Sequence, residues 1–171
     1  MPADPTDGQT TDTRVMLATA AGTPGWPNED FAAVAPGAAV LLDGATTMPR
    51  GTPTGCQHGV AWYARTLGVT LLAALTADLG TSLADALAAS IADVRDRHAD
   101  TCDLDNPSTP AATVTAVRAE PGRFNYLALS DSSIAADYAD GRPPEIITDD
   151  HRPAKASPCL LYTSDAADDL T

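Results

Sequence analysis

The chain has 171 residues, enough for one domain with a buried core, and its 23 acidic and 10 basic residues give a formal net charge of −13. That balance argues against nucleic acid as a partner, because phosphate binding needs a basic face, and it is compatible with divalent cations. Apolar residues make up 44% of the chain but aromatics only 5%, so Ala, Val and Leu must build the core.

The N-terminus, Met1-Pro-Ala-Asp-Pro-Thr-Asp-Gly, has neither a basic stretch nor an apolar one, so no secretion signal is expected. No run is read as approaching the roughly 18 apolar residues of a membrane span. The three cysteines, Cys56, Cys102 and Cys159, form no short pairing motif. They are expected to be reduced thiols, neither a disulfide frame nor a zinc site, in a cytoplasmic protein without a membrane partner.

Residues 1–12 are rich in Pro, Asp and Thr and read as a disordered leader. Arg14-Val-Met-Leu-Ala-Thr-Ala-Ala then reads as a first strand, stopped by Gly22-Thr-Pro-Gly. Phe31-Ala-Ala-Val-Ala and Ala38-Ala-Val-Leu-Leu42 flank Pro36-Gly37, a turn signal that predicts a hairpin. The second run is apolar at both parities, the pattern of a central strand buried on both faces. A loop follows over residues 45–55.

Val60, Ala64, Leu67, Leu71 and Leu75 recur at helical spacing and predict one buried helix face. A second helix starts at Ser82, with Asp85 completing a capping-box-like pair, and its buried stripe is read as Leu83, Leu87, Ile91 and Val94. Asp93, Arg95, Asp96 and Arg97 form its solvated face.

After the loop at 103–110 the period returns to two, over 111–117, 124–129, 134–138 and 145–148, with turns at Pro121-Gly122 and Asp140-Gly141. Three strands, two helices and four strands with hairpin links predict an α+β fold. Its architecture would be an antiparallel β-sandwich flanked by helices, in α-β-β-α layers and incomplete at the C-terminus. Residues 159–169, Cys-Leu-Leu-Tyr-Thr-Ser-Asp-Ala-Ala-Asp-Asp, resemble a translated sequencing adapter. The domain is accordingly read as 13–158, with 159–171 a non-native tail.

Three polar clusters stand where strands end: Asn28-Glu29-Asp30, Asp43-Gly44 and Ser130-Asp131-Ser132. The hairpin brings Asp30 near Asp43. Two carboxylates about 4 Å apart repel by roughly 4 kcal/mol at an effective dielectric of about 20. A hard divalent cation reverses that sign, and glycine after the aspartate leaves its carbonyl open to close approach. Each cluster alone is an ordinary turn; their order and their positions at strand ends are more specific.

In that order the motifs resemble the metal-dependent protein serine/threonine phosphatases of type 2C. The resemblance runs from Asn28-Glu29-Asp30 and Leu42-Asp43-Gly44 through Gly55-Cys56-Gln57-His58-Gly59, Pro107-Ser108-Thr109 and Leu129-Ser130-Asp131-Ser132, over about residues 13–150. It implies hydrolysis of phosphoserine and phosphothreonine in a phosphoprotein substrate with two ions, Mn²⁺ or Mg²⁺. Asp43 would bridge them, Gly44 would offer its carbonyl, and Glu29 and Asp30 would hold the second ion or its waters. Asn28, Asp131, Ser132 and His58 would neighbour the site.

The sequence departs from the family pattern at three points. Gly22-Thr-Pro-Gly-Trp-Pro27 stands where the family often has a phosphate-holding Arg, and Ala45 stands where many members have His. The family's later metal-binding aspartates have no counterpart, so the chain is expected to be inactive as written. A pseudophosphatase or regulatory module of the same fold is the alternative. Trp26 and Trp62 read as packing residues, and Cys56 and Cys102 as small buried thiols.

Overall fold

The computed structural model describes residues 14–45, 55–120 and 123–149. The leader at 1–12, most of the 45–55 loop and the segment 159–171 lie outside the described residues. The elements in chain order are β1 (Phe31–Ala35), β2 (Ala38–Ala45), α1 (Val60–Ala77), α2 (Leu83–His98), β3 (Ala111–Glu120), β4 (Arg123–Leu129), β5 (Ser133–Ala136) and β6 (Glu145–Thr148). Strands β1 to β4 form an antiparallel sheet in the order β1-β2-β3-β4, and β5 pairs with β6 in a separate two-stranded ribbon.

The predicted hairpin is present. Gly37 turns it at φ 77, a conformation that a side chain disfavours, and its carbonyl accepts from Ala119 N at 2.8 Å. Phe31 faces Leu42 and Ala35 faces Ala38. The segment 14–21 is not a strand. It pairs with no neighbour among the described residues, and Val15, Met16 and Leu17 are exposed. Its apolar run reads as a strand, but a strand needs a ladder partner and none of the described strands supplies one.

The two helices cover one face of the sheet. Leu42, Leu67, Leu71, Leu75, Val94 and Val114 are buried to 1% exposure or less and form the centre of the core. The α1 stripe is as the spacing predicts. Phe31 and Leu42 reach into α1 at Gly68, where a Cβ would sit 2.2 Å from Phe31 Cδ1 and 2.9 Å from Leu42 Cδ1. That glycine lets the helix descend onto the start of β1.

By length and composition Val60–Ala77 could also cross a membrane, contrary to the sequence reading. Its leucine stripe is spent on the sheet, as in a core helix.

In α2 the Ser82 cap forms as expected, its Oγ accepting from Asp85 N at 3.1 Å and donating to Asp85 Oδ2 at 2.7 Å. The buried stripe differs from the one predicted. Ile91 is exposed, and Ser90 and His98 are buried instead, so the stripe runs 83, 87, 90, 94, 98. Ser90 meets the cost of burial by donating its hydroxyl to Ala86 O at 2.7 Å. Arg118 is buried as well; its Nη1 donates to Thr81 O at 2.9 Å and ties β3 to the α1–α2 turn.

The other face of the sheet is open among the described residues. Leu41, Val34 and Tyr126 are each more than 40% exposed, so β2 is covered on one side only, not on both as its composition suggests. The fold is α+β with antiparallel pairing, as expected, and the described residues make its helix layer, one full sheet and the β5–β6 ribbon.

Candidate metal centre at the strand tips

Strand register assembles the site. Because Phe31 pairs with Leu42, the next row beyond β1 sets Asp30 opposite Asp43, and the row after that sets Glu29 opposite Gly44. Asp43 in turn pairs with Thr113 of β3. Alternation puts Phe31, Leu42 and Gly44 against the helices, and Asp43 on the other face, where Leu41 is exposed and Thr113 is buried. A slip of one residue would bury the aspartate and expose the leucine, so the core itself fixes where the carboxylate points.

Gly44 has a physical reason for being glycine that the sequence reading did not identify. A Cβ there would lie 2.4 Å from the Glu29 carbonyl oxygen and 2.6 Å from Val60 Cγ1. The residue lets the Asn28-Glu29-Asp30 segment and the start of α1 close together on the tip of β2. Asn28 shapes that segment: its Oδ1 accepts from Asp30 N at 3.1 Å, a local turn bond, and its Nδ2 donates to Thr19 Oγ1 at 2.7 Å.

The third cluster arrives from the far end of β4. Ser130 adopts φ 67, uncommon for a residue with a side chain, and its N–H donates to Asp149 Oδ2 at 3.0 Å, which joins the end of β4 to the end of β6. The turn swings Ser132 back over the sheet, where its Oγ lies 2.5 Å from Thr113 Oγ1. Asp131 is thereby close enough to act on Asp43 through its charge.

The electrostatics record this convergence. The Asp43 carboxyl is pushed up to about 6 by partial burial first, then by a hydrogen bond to the Asp30 side chain and by repulsion from Asp30, Asp131 and Glu29. All of these causes disfavour the ionised form of Asp43, and a cation among the acids would act against them. Like charges directly opposite on neighbouring strands are unfavourable without such a counter-charge. The donors are hard oxygens, which suit Mg²⁺ or Mn²⁺ and not a soft metal. The residues therefore fit the ions that the motifs imply.

His58 does not join this group. Its ring stacks on Trp62 at 3.9 Å between centroids and 14° between planes, and lies 6.0 Å from the ring of His98. Trp62 packs against the core as expected, whereas Trp26 is half-exposed.

Beside His58 the structure corrects the reading of the cysteines. Cys56 and Cys102, 46 residues apart, have Cα atoms 4.1 Å apart and are joined as a disulfide. The two loops pair as an isolated antiparallel bridge, held by Asp103 N donating to Gly55 O at 2.9 Å. Sequence reasoning missed the pair because the apposition depends on how α1 and α2 return. One local signal was present: His98 and Cys102 stand four residues apart, one helical turn, at the end of α2.

A helix-backed antiparallel sheet that gathers Glu29, Asp30, Asp43 and Asp131 at its strand tips defines an α+β protein with a candidate site for a hard cation. The sequence profile of the protein phosphatase 2C family matches residues 20–170, and the chain belongs to that family. No curated protein and no solved structure matches the chain.

Proposed function

We propose that these residues serve metal-dependent hydrolysis of phosphoserine and phosphothreonine in proteins, with Asp43 and Asp30 as central acids, when the family's later metal-binding aspartates are also present. The observation that carries the reading is the crowding of Asp43 by Asp30, Asp131 and Glu29, which lifts its carboxyl to about 6 and makes a divalent cation the natural counter-charge. Membership of a protein phosphatase family supports the same chemistry. Asp43, Glu29, Asp30 and the Gly44 carbonyl would hold Mn²⁺ or Mg²⁺, two ions in the intact family site. The bound ions would supply a water of lowered pKa and neutralise phosphate charge.

The residues' own tasks follow from their positions. Asp43 and Asp30 present their carboxylates together because they share a row of the sheet, and Asn28 fixes the turn that aims Asp30. Thr113 and Ser132 form a hydroxyl pair beside Asp43 that orients the Ser130-Asp131-Ser132 turn and keeps Asp131 near. The open sheet face leaves the acids accessible to a phosphoryl group on a protein surface.

The test is Mn²⁺-dependent release of phosphate from a phosphothreonine peptide and from p-nitrophenyl phosphate, measured on a chain that also carries the family's later metal-binding aspartates. Asp43→Ala is expected to lower it by more than about 100-fold, beyond the cost of losing a ligand's supporting partner. Activity that survives Asp43→Ala, or that is equal in chelator and in Mn²⁺, defeats the proposal.

A second reading has its own observation. Residues 22–27 contain no basic side chain and Ala45 follows Asp43-Gly44, so neither a phosphate-holding cation nor an imidazole stands at those positions. That favours a non-catalytic module that keeps the fold and binds a partner. Mn²⁺ titration followed by melting separates the two: the enzyme reading expects a rise in Tm with Mn²⁺, the binding module none.

A further inference from the structure

The Cys56, Cys102 and His98 cluster lies at the helix ends, and the phosphatase reading makes no use of it. The ligand atoms of these residues all lie within 4.8 Å of one another. We propose that in the reduced protein they form a binding site for a soft divalent cation of the Zn²⁺ class, and that the disulfide is the oxidised, closed form of that site. This inference is independent of the phosphatase reading.

Four observations carry it. The Cys56 Sγ to His98 Nδ1 distance is 3.6 Å. That is the edge of a tetrahedron with Zn–S of about 2.3 Å and Zn–N of about 2.0–2.1 Å, which works out at about 3.6 Å. His98 is 3% exposed, so its ring cannot turn freely, and its Nδ1 is already directed at the sulfur. Cys102 continues the last turn of α2, its N–H donating to His98 O at 3.0 Å, which sets the imidazole and the thiol on one side. The backbone N–H of His58 donates to Cys56 Sγ at 3.3 Å, the kind of bond that stabilises a thiolate.

His98 is also held toward its neutral, metal-ligating form, by burial first and then by His58. Two thiolates and one imidazole leave one tetrahedral position for water or another ligand. The donor set is the opposite of the one at the strand tips, where only hard oxygens converge, so the two sites would select different metals.

The two states exclude each other, and the conversion balances. A dithiol reductant closes into its own disulfide and transfers two electrons and two protons. The Cys56–Cys102 bond opens to two thiols, whose torsions are then free to set the sulfurs at about 3.8 Å, the S–S edge of the same tetrahedron. Cation binding then releases both thiol protons to solvent.

The test uses the full chain carrying Cys159→Ser, so that only the two thiols report. The protein is reduced with dithiothreitol, desalted without oxygen and titrated with Co²⁺ in excess Mg²⁺, a hard competitor for carboxylate oxygens. The expected result is saturation at about one equivalent, with thiolate-to-cobalt charge-transfer absorption and the strong visible bands of tetrahedral Co²⁺, both bleached by Zn²⁺. The oxidised chain should show neither.

His98→Gln and Cys102→Ser should each weaken binding by at least about 100-fold. Where a variant does not fold, alkylating the reduced wild-type chain should abolish the bands just as completely. A reduced chain that gives only the weak bands of oxygen-coordinated Co²⁺ overturns the proposal, as does charge-transfer absorption unaffected by His98→Gln.

Discussion

The carboxylate row at the strand tips and the thiol–imidazole cluster at the helix ends are built in different ways. The row is a product of register: once Phe31 pairs with Leu42 and Leu42 is buried, Asp30 must meet Asp43 on the open face. Its members sit in short, contiguous motifs, and its repulsion is left for a cation or a proton to relieve. The cluster is a product of helix return. Cys56 precedes α1 and Cys102 follows α2, and they meet only because two helices pack back to back on one sheet. The first site stores electrostatic stress, whereas the second, as a disulfide, adds a covalent tie across the helical layer. The difference teaches that the tips are the less stable end of the molecule without a ligand, and the helix ends the more stable.

Breaking the tie should have the largest effect on that contrast. A loop spanning the 46-residue separation of Cys56 and Cys102 corresponds to about 4 kcal/mol of denatured-state constraint in the chain-entropy account. Dithiothreitol should therefore lower the urea midpoint of the metal-free chain, with added Zn²⁺ restoring part of the loss. An unchanged midpoint on reduction would mean that the two loops are held together without the bond.

Gly44→Ala addresses the other end. Its Cβ would meet Glu29 O at 2.4 Å and Val60 Cγ1 at 2.6 Å, so the Glu29–Asp30 segment or α1 must move, at about 1–3 kcal/mol by the usual cost of overpacking. The Mn²⁺-induced rise in Tm should shrink in the same variant, while Co²⁺ binding at Cys56, Cys102 and His98 should not. Loss of both would show that the two regions are not independent.

The smallest effect is the dependence on pH, and its sign is fixed. Asp43 is raised to about 6 in the folded state, above the about 3.9 of an unfolded aspartate, so the native protein holds this proton more tightly. The associated stability is fully present below about pH 4 and is lost as pH rises through about 6. The metal-free Tm should carry a downward component across that window, absent in Asp43→Asn, and the Mn²⁺-induced shift should grow over the same range as cation displaces proton. A wild-type and an Asp43→Asn chain with the same pH slope would sink the assignment.

The sequence by itself determined what depends on neighbours along the chain. The Pro36-Gly37 hairpin, the α1 stripe, the Ser82 cap and the three acidic motifs at strand ends were all legible, because turn chemistry, periodicity and capping act within a few residues. The adjacency of Asp30 and Asp43 followed from the hairpin alone. Only the tertiary structure decided the rest. The apolar run at 14–21 has no ladder partner among the described residues. That Ser90 and His98 met the core and Ile91 did not depended on how α2 packs. Gly44 and Gly68 were fixed by contacts with Glu29 and Phe31, distant in sequence from at least one partner. Cys56 and Cys102 looked like separate thiols because no local rule links residues on opposite sides of a helix pair. Local signals are read through hydrogen bonds and torsions that the chain carries wherever it goes, whereas such meetings exist only after packing has chosen one arrangement of the whole.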